Sequence, residues 1–183
     1  MRIAVVGRGN VGGGLAGLWE RAGHTVTRIG RDGGDVSNAD TVLLAMPGAA
    51  IADALRAVQG IAGKTTIDAT NLIGSSPPDG FASNAEFVKA TIGGPTAKSF
   101  NINFAAIYDQ IETASTRPGN IWCGDDEARE AVEQLTRDAG YEPIYAGGLE
   151  QAAAQEQLIS LVFAINQGGL GSFFYRMAPP DTF

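Results

Sequence analysis

The chain has 183 residues, 44% of them apolar, which is enough for one ordinary domain with a real core or one domain with an appendage. A formal net charge of −7 with no Lys/Arg cluster argues against nucleic-acid binding, and no apolar run approaches the roughly 20 residues that span a bilayer. One cysteine excludes an internal disulfide and fits a reducing, cytoplasmic setting; with one histidine beside it there is no material for a protein-built zinc site.

Arg2-Ile3-Ala4-Val5-Val6 is a short β-type run, so the chain begins on a structural strand rather than a signal peptide. It leads into Gly7-Arg8-Gly9-Asn10-Val11-Gly12, and helical spacing follows from Val11 to Ala22. Strand, glycine turn and helix with G-x-G-x-x-G at the joint is the dinucleotide-binding arrangement. Gly7 permits the tight turn, Gly9 lets backbone approach a pyrophosphate, and Gly12 lets helix and strand pack closely. The free N–H groups at the helix start then face the phosphates.

His24 to Ile29 reads as the second strand, ending at Gly30-Arg31-Asp32. A site for NAD usually carries Asp or Glu at that end, for the ribose 2′-OH. Arg31 stands there instead, where a guanidinium can take a 2′-phosphate bidentately, with Arg8 and Arg28 adding positive charge; NADP is expected. Arg31 to Asp40 is too short for a crossover helix and reads as a loop.

Thr41 to Met46 is a buried-type strand stopped by Pro47-Gly48, Ala49 to Gln59 a helix, and Lys64 to Asp68 the fourth strand. Gly74 to Gly80 is a loop by composition, and the 74–83 loop, on the ligand side, suits a flap over the active site or a plain connector. Asn84 to Lys89 is a short helix, Thr96 to Asn101 a strand, Asn103 to Ile111 a helix and Asn120 to Gly124 a strand. Asp125 to Ala139 is a helix with acids in its first turn and Gly140 at its end. Tyr141 to Tyr145 is the last strand, and Leu149 to Tyr175 is mostly helical with a break at Gln167-Gly168-Gly169. The class is α/β: a Rossmann-type doubly wound parallel sheet over 1–147, with a helical C-terminal appendage over 148–183. Leu158, Leu161, Val162, Ile165 and Leu170 of that appendage want burial, against the domain itself or against a second copy in a homodimer.

The chain resembles the F420-dependent NADP oxidoreductases. The stretches that carry the resemblance are GRGNVG at 7–12, IGR at 29–31, LLAMP at 43–47, DATN at 68–71, KSFN at 98–101, WCGDD at 122–126 and YAGGL at 145–149. They span nearly the whole sequence, and the order KSFN, CGDD, AGGL is far more specific than the glycine motif. The resemblance implies hydride transfer between NADPH and a deazaflavin (F420) or flavin ring. It implies that Gly7 to Gly12, with Asn10 and Val11 among them, hold the pyrophosphate, and that Arg8 and Arg31 hold the 2′-phosphate. Met46 and Pro47 would line the path to the nicotinamide, with Asn71 and the Phe100-Asn101 pair beside it in orienting roles. The family's enzymes are usually longer after the last strand, so the acceptor pocket here is expected to be smaller or completed by a second subunit.

Two other functions stay open on the residues alone. An NADPH-dependent reductase of a small carbonyl or imine needs a proton donor, for which Asp68, Tyr108 or Tyr145 would have to serve. A non-catalytic NADP-binding module needs none. Asp68 can also simply cap a turn through Thr70 or Asn71, and Lys98 can be a phosphate or carboxylate partner or a solvated lysine. Asn101 can bond a carboxamide or start the next helix. His24 is expected as a surface turn residue and Cys123 as a buried structural one. Phe173, Phe174 and Tyr175 can stack on a ring system or belong to core or interface.

Overall fold

The strand–turn–helix opening is present in the computed structural model, which describes residues 1–182. β1 (Arg2–Val6) runs into α1 (Asn10–Arg21), and β2 (Thr25–Ile29) follows. The stretch to the next long strand contains the two-residue β3 (Gly34–Asp35), then β4 (Thr41–Leu44). A 3₁₀ turn (Gly48–Ala50) opens α2 (Ile51–Ala57), which gives way to the two-residue β5 (Val58–Gln59) and to β6 (Thr65–Asp68). α3 (Asn84–Ile92) runs one turn beyond its expected end, because Ser83 caps its start by accepting the Glu86 N–H at 3.1 Å and only Gly93, at φ 68°, stops it. β7 (Thr96–Ser99), β8 (Gly119–Gly124), α4 (Arg129–Asp138, after a 3₁₀ turn), β9 (Glu142–Tyr145) and α5 (Ala152–Ile165) complete the order.

The long strands form one seven-stranded sheet, β2-β1-β4-β6-β7-β8-β9. β1 lies between β2 and β4, so the strand order reverses at its end, where open α/β sheets bind ligands. The expected α/β class holds, with one departure. β7 and β8 pair antiparallel, Ser99 opposite Trp122, whereas every other pairing in the sheet is parallel. The connection explains it. The expected helix from Asn103 is instead a 3₁₀ stretch (Ala105–Thr113) broken at Ile107, too short and irregular to carry the chain back across the sheet. β8 therefore starts at the end where β7 stops.

Alternation along the strands sorts the core. Ile3, Val5 and Leu43 face Leu15, Trp19, Val132 and Leu135 of α1 and α4. Ala4, Val6, Val42 and Leu44 face Ile51, Leu55, Val88 and Ile92 of α2 and α3. Helices on both faces explain why these strands read as continuous apolar runs. The Trp19 indole N–H donates to the Leu135 carbonyl at 2.8 Å and ties α1 to α4.

The last element is shorter than expected. α5 ends at Ile165, a π turn covers Asn166–Leu170, and glycines at φ +113° (Gly169) and +73° (Gly171) turn the chain out of the helix. Phe173 to Tyr175 therefore return extended to the sheet. The Gly119 N–H donates to the Tyr175 carbonyl at 2.7 Å, the Ile121 N–H to its hydroxyl at 2.9 Å, and Phe173 packs edge-on against Phe104. These aromatics are packing residues. Leu161, Ile165 and Leu170 stay exposed. Among the described residues no helix is long and apolar enough to cross a membrane.

Candidate functional site

The three glycines of the first turn have three different surroundings. Gly7 sits at φ +116°, and a Cβ there would lie 2.1 Å from the Ala45 carbonyl oxygen. A Cβ at Gly12 would lie 2.2 Å from the Gly7 carbonyl oxygen and 3.2 Å from Ala45 Cβ, so α1 packs through this residue against the glycine turn and the residue that follows β4. A Cβ at Gly9 would meet nothing within 4 Å. Two glycines are demanded by the protein's own packing, and the third leaves open space over the start of α1. Gly9 is the N-cap of that helix, no side chain caps it, and no acid lies in its first turn, which holds Asn10 and Val11. The helix thus presents free N–H groups and the positive end of its dipole to that space.

A cleft of about 770 Å³ opens beside this turn. Its floor is the ends of β1, β2 and β4, from Val6–Gly9, Gly30–Gly33 and Ala45–Pro47, and its wall is α2 with Ala50, Asp53, Ala54 and Ala57. Three of the four wall residues, Ala50, Ala54 and Ala57, are alanines. Met46 and Pro47 are among the residues that line the cleft.

Charge in the cleft is uneven. Arg31 is exposed and, among the described residues, makes no ion pair. Arg8 lies across Gly30 and donates to the Arg28 carbonyl at 3.2 Å, which leaves most of its guanidinium free. Arg28, expected to add charge here, does not: both of its Nη groups are held by Glu20, the second at 2.8 Å. Asp32 lies beside Arg31, and Asp53 pairs with Arg56.

Asn71 and Asn101 come together, thirty residues apart in sequence, by a mutual amide pair. Asn71 Nδ2 donates to the Asn101 carbonyl at 2.6 Å, and Asn101 Nδ2 donates to Asn71 Oδ1 at 3.0 Å. The remaining groups of Asn101 bond Gln155, whose Nε2 donates to Asn101 Oδ1 at 2.8 Å. Asn101 is buried, and these bonds fix the position of the Asn71 side chain. Phe100 makes this turn of the chain at φ 61°, an unusual conformation for a bulky residue and one concentrated at functional sites. Asn71 in turn accepts the Gly48 N–H at 3.2 Å and so braces the turn that follows Pro47.

The three candidate proton donors are withdrawn from the cleft. Asp68 is fully buried; its Oδ1 takes the Thr70 N–H at 2.9 Å, the expected turn cap. The Tyr108 hydroxyl is buried without a hydrogen-bond partner among the described residues, and burial pushes it well above the usual tyrosine range. Tyr145 lies on β9, the edge strand farthest from the cleft, under the Arg129 guanidinium, 3.9 Å from ring centre to Cζ.

Two sequence expectations are corrected. His24 is not a surface residue: its side chain is 5% exposed, with Nε2 2.8 Å from Asp138 and Nδ1 3.0 Å from the N-terminal amine. Lys98 is not solvated: it is fully buried, and its Nζ donates to Asp68 Oδ2 (2.8 Å), Glu156 Oε1 (2.7 Å) and the Thr70 carbonyl (2.6 Å). Glu156 and Gln155, both on α5, escaped the sequence reading because nothing local distinguishes them from surface helix residues. Burial pushes the Glu156 carboxyl above its ordinary range, against the pull of Lys98. Cys123 is buried as expected, and burial pushes its thiol up to about 12. Among the described residues no group of three or more His, Cys, Asp or Glu is placed to hold a metal ion.

No family model and no curated protein matches this sequence. Solved structures do. A protein of Arthrobacter sp. FB24, provisionally named an F420-dependent NADP-reductase, superposes with a TM-score of 0.82 at 23% identity, over 98% of this chain and all of its own. The hypothetical protein SMa0349 of Sinorhizobium meliloti reaches 0.65 at 24% identity, over 83% of this chain and 88% of its own. An imine reductase of Myxococcus stipitatus, solved with NAD+, reaches 0.67 at 17% identity, over 92% of this chain but only 61% of its own length. At these identities the likeness establishes a shared Rossmann-type fold. The first of the three bears the name of the family whose motifs the sequence resembles.

Proposed function

We propose that the protein is an NADP(H)-dependent oxidoreductase that moves hydride between NADPH and a deazaflavin (F420) or flavin ring. The observation that carries the reading is the glycine turn. Gly7 and Gly12 are packed shut while the space over Gly9 stays open, directly at the uncapped start of α1. The backbone from Gly7 to Gly12, including the Asn10 and Val11 N–H groups, would hold the pyrophosphate. Arg8 and Arg31 would hold the 2′-phosphate, being the cleft's unspent cations. Met46 and Pro47 would wall the nicotinamide end, with Asn71 beside them, held in place by Asn101.

A nicotinamide supplies the hydride, and a flavin-type ring has its own electron sink, so the protein has only to orient the rings and keep water out. That requirement fits the burial of Asp68, the isolation of Tyr108 and the distance of Tyr145. The match to an imine reductase keeps a second reading in view, reduction of a small imine or carbonyl, but each of its three donors is turned away from the cleft. The exposed stripe Leu161, Ile165 and Leu170 would seat a second copy of the chain, and the lone buried thiol suits the cytoplasm.

The test is NADPH oxidation with F420, FMN and FAD offered separately. Turnover with F420 or a flavin is the expected result; tight NADPH binding with no oxidation by any of them would move the assignment to the small-molecule reductase or to a binding module. The cofactor is tested separately by Arg31→Ala. NADPH affinity should fall about ten- to a hundredfold, the worth of a charge-assisted bond pair, with NADH affinity unchanged. Equal losses for the two would refute the 2′-phosphate role.

A further inference from the structure

We propose that Lys98, Asp68 and Glu156 form a buried cluster of net negative charge behind the Met46–Pro47 side of the cleft, and that it favours the oxidised, cationic nicotinamide over the reduced, neutral one. This deepens the NADP reading and rests on it.

The cluster is built, not incidental. One ammonium, fully buried, bridges two carboxylates from separate elements, Asp68 of β6 and Glu156 of α5. Two carboxylates against one ammonium leave an excess of one negative charge when both are ionised. A short hydrogen-bonded path joins this charge to the cleft. Glu156 Oε1 accepts the Asn84 N–H at 3.2 Å, and Asn84 Nδ2 donates to the Gly48 carbonyl (3.1 Å) and to Thr70 Oγ1 (2.9 Å). Gly48 follows Pro47, which lines the cleft, and Thr70 precedes Asn71. The charge thus sits one layer behind the turn that walls the nicotinamide end, in an interior that screens it poorly. Hydride leaving NADPH creates a positive ring at that end, and a fixed negative charge behind it lowers the energy of that product.

The groups around Glu156 are few. Lys98 faces it from β7, Asp68 from β6, and the neutral Cys123 thiol lies on β8. Glu150 stands in the turn before α5, near enough to act on Cys123. α3 contributes the uncharged Asn84; its titratable side chains are engaged elsewhere, Glu86 with the Ala82 N–H and Lys89 with Asp125. Burial raises the Glu156 carboxyl above its ordinary range, and its protonation switches the excess charge off. In acid the cluster becomes neutral; as pH rises through the Glu156 value, the excess charge returns.

The experiment is the ratio of Kd for NADP+ and NADPH, across pH, for the wild-type chain and Glu156→Gln. The amide keeps an oxygen for Lys98 and Asn84 but carries no charge. The variant should bind NADP+ roughly three- to tenfold more weakly at pH 8, with NADPH changed by less than about twofold. The wild-type ratio should merge with that of the variant in acid, while the variant ratio stays flat. The 2′-phosphate titrates in both cofactor forms and cancels in the ratio. Equal loss of both affinities in Glu156→Gln, or a wild-type ratio independent of pH, would overturn the inference. Failure of the wild-type chain to bind either form would instead refute the NADP reading. Should the variant fail to fold, the wild-type pH series alone decides.

Discussion

Lys98→Met should melt roughly 10–15 °C below the wild-type protein at pH 8, corresponding to about 3–5 kcal/mol of lost stability. The side chains are similar in length, so the change removes charge and three hydrogen bonds rather than volume. What remains is two buried carboxylates, Asp68 and Glu156, and a Thr70 carbonyl, none with a cation near. An uncompensated buried charge is among the costliest defects a core can carry. The pH dependence has a definite sign. Glu156 already has its carboxyl raised by burial, so the native state holds the proton more tightly than the unfolded chain does. Its contribution to stability is present in full below the ordinary carboxylate range and is lost as pH rises through the raised value. Without Lys98 the raising is larger, so the melting difference should narrow in acid and widen toward neutral pH. Adding Asp68→Asn and Glu156→Gln to Lys98→Met should recover most of the loss. Thermal melts over a pH series make the measurement, and a single variant that melts within about 2 °C of wild type at pH 8 would show that the three groups are not a charge cluster.

The second large effect separates glycines that look alike in the motif. Gly12→Ala should cost about 3 kcal/mol or more, because its Cβ meets the Gly7 carbonyl oxygen at 2.2 Å and Ala45 Cβ at 3.2 Å, and backbone cannot swing aside as a side chain can. Gly9→Ala should change stability by no more than about 1 kcal/mol, since its Cβ enters open space and its backbone is already extended, at φ −73° and ψ −172°. The same Gly9→Ala should weaken NADPH binding by at least about tenfold, the worth of one good charge-assisted bond, by filling the approach to the α1 start. Melting curves and cofactor titrations on both variants test this. A Gly9→Ala protein that binds NADPH normally would refute the pyrophosphate seat, and a stable Gly12→Ala protein would refute the close contact of α1 with Gly7 and Ala45.

The difference between these glycines was legible in the sequence, because the spacing of a turn between strand and helix is a local property. The same locality let the sequence locate most strands and helices, the turn cap at Asp68 and the burial of Cys123. It also let Arg31 be singled out, since the residue after β2 is set by chain position alone. It did not let Arg28 be discounted. Its neutralisation by Glu20 depends on α1 lying beside β2, a packing relation eight residues apart in sequence but across two elements.

What the sequence by itself determined is the alternation of strands and helices, the glycine turn and the two arginines near it: each follows from periodicity, turn chemistry or a residue's place at a strand end. The tertiary structure alone decided three things. β8 runs antiparallel because the 3₁₀ stretch before it never crosses the sheet, and no propensity encodes strand direction. The chain leaves α5 at Ile165 and brings Tyr175 back to β8, which places those aromatics in packing. Lys98, 58 residues from Glu156, is buried only because β6, β7 and α5 converge around it. A long charged side chain has the same local preferences in water as in a core. Its partner and its charge are therefore decided where elements distant in sequence meet and water is excluded.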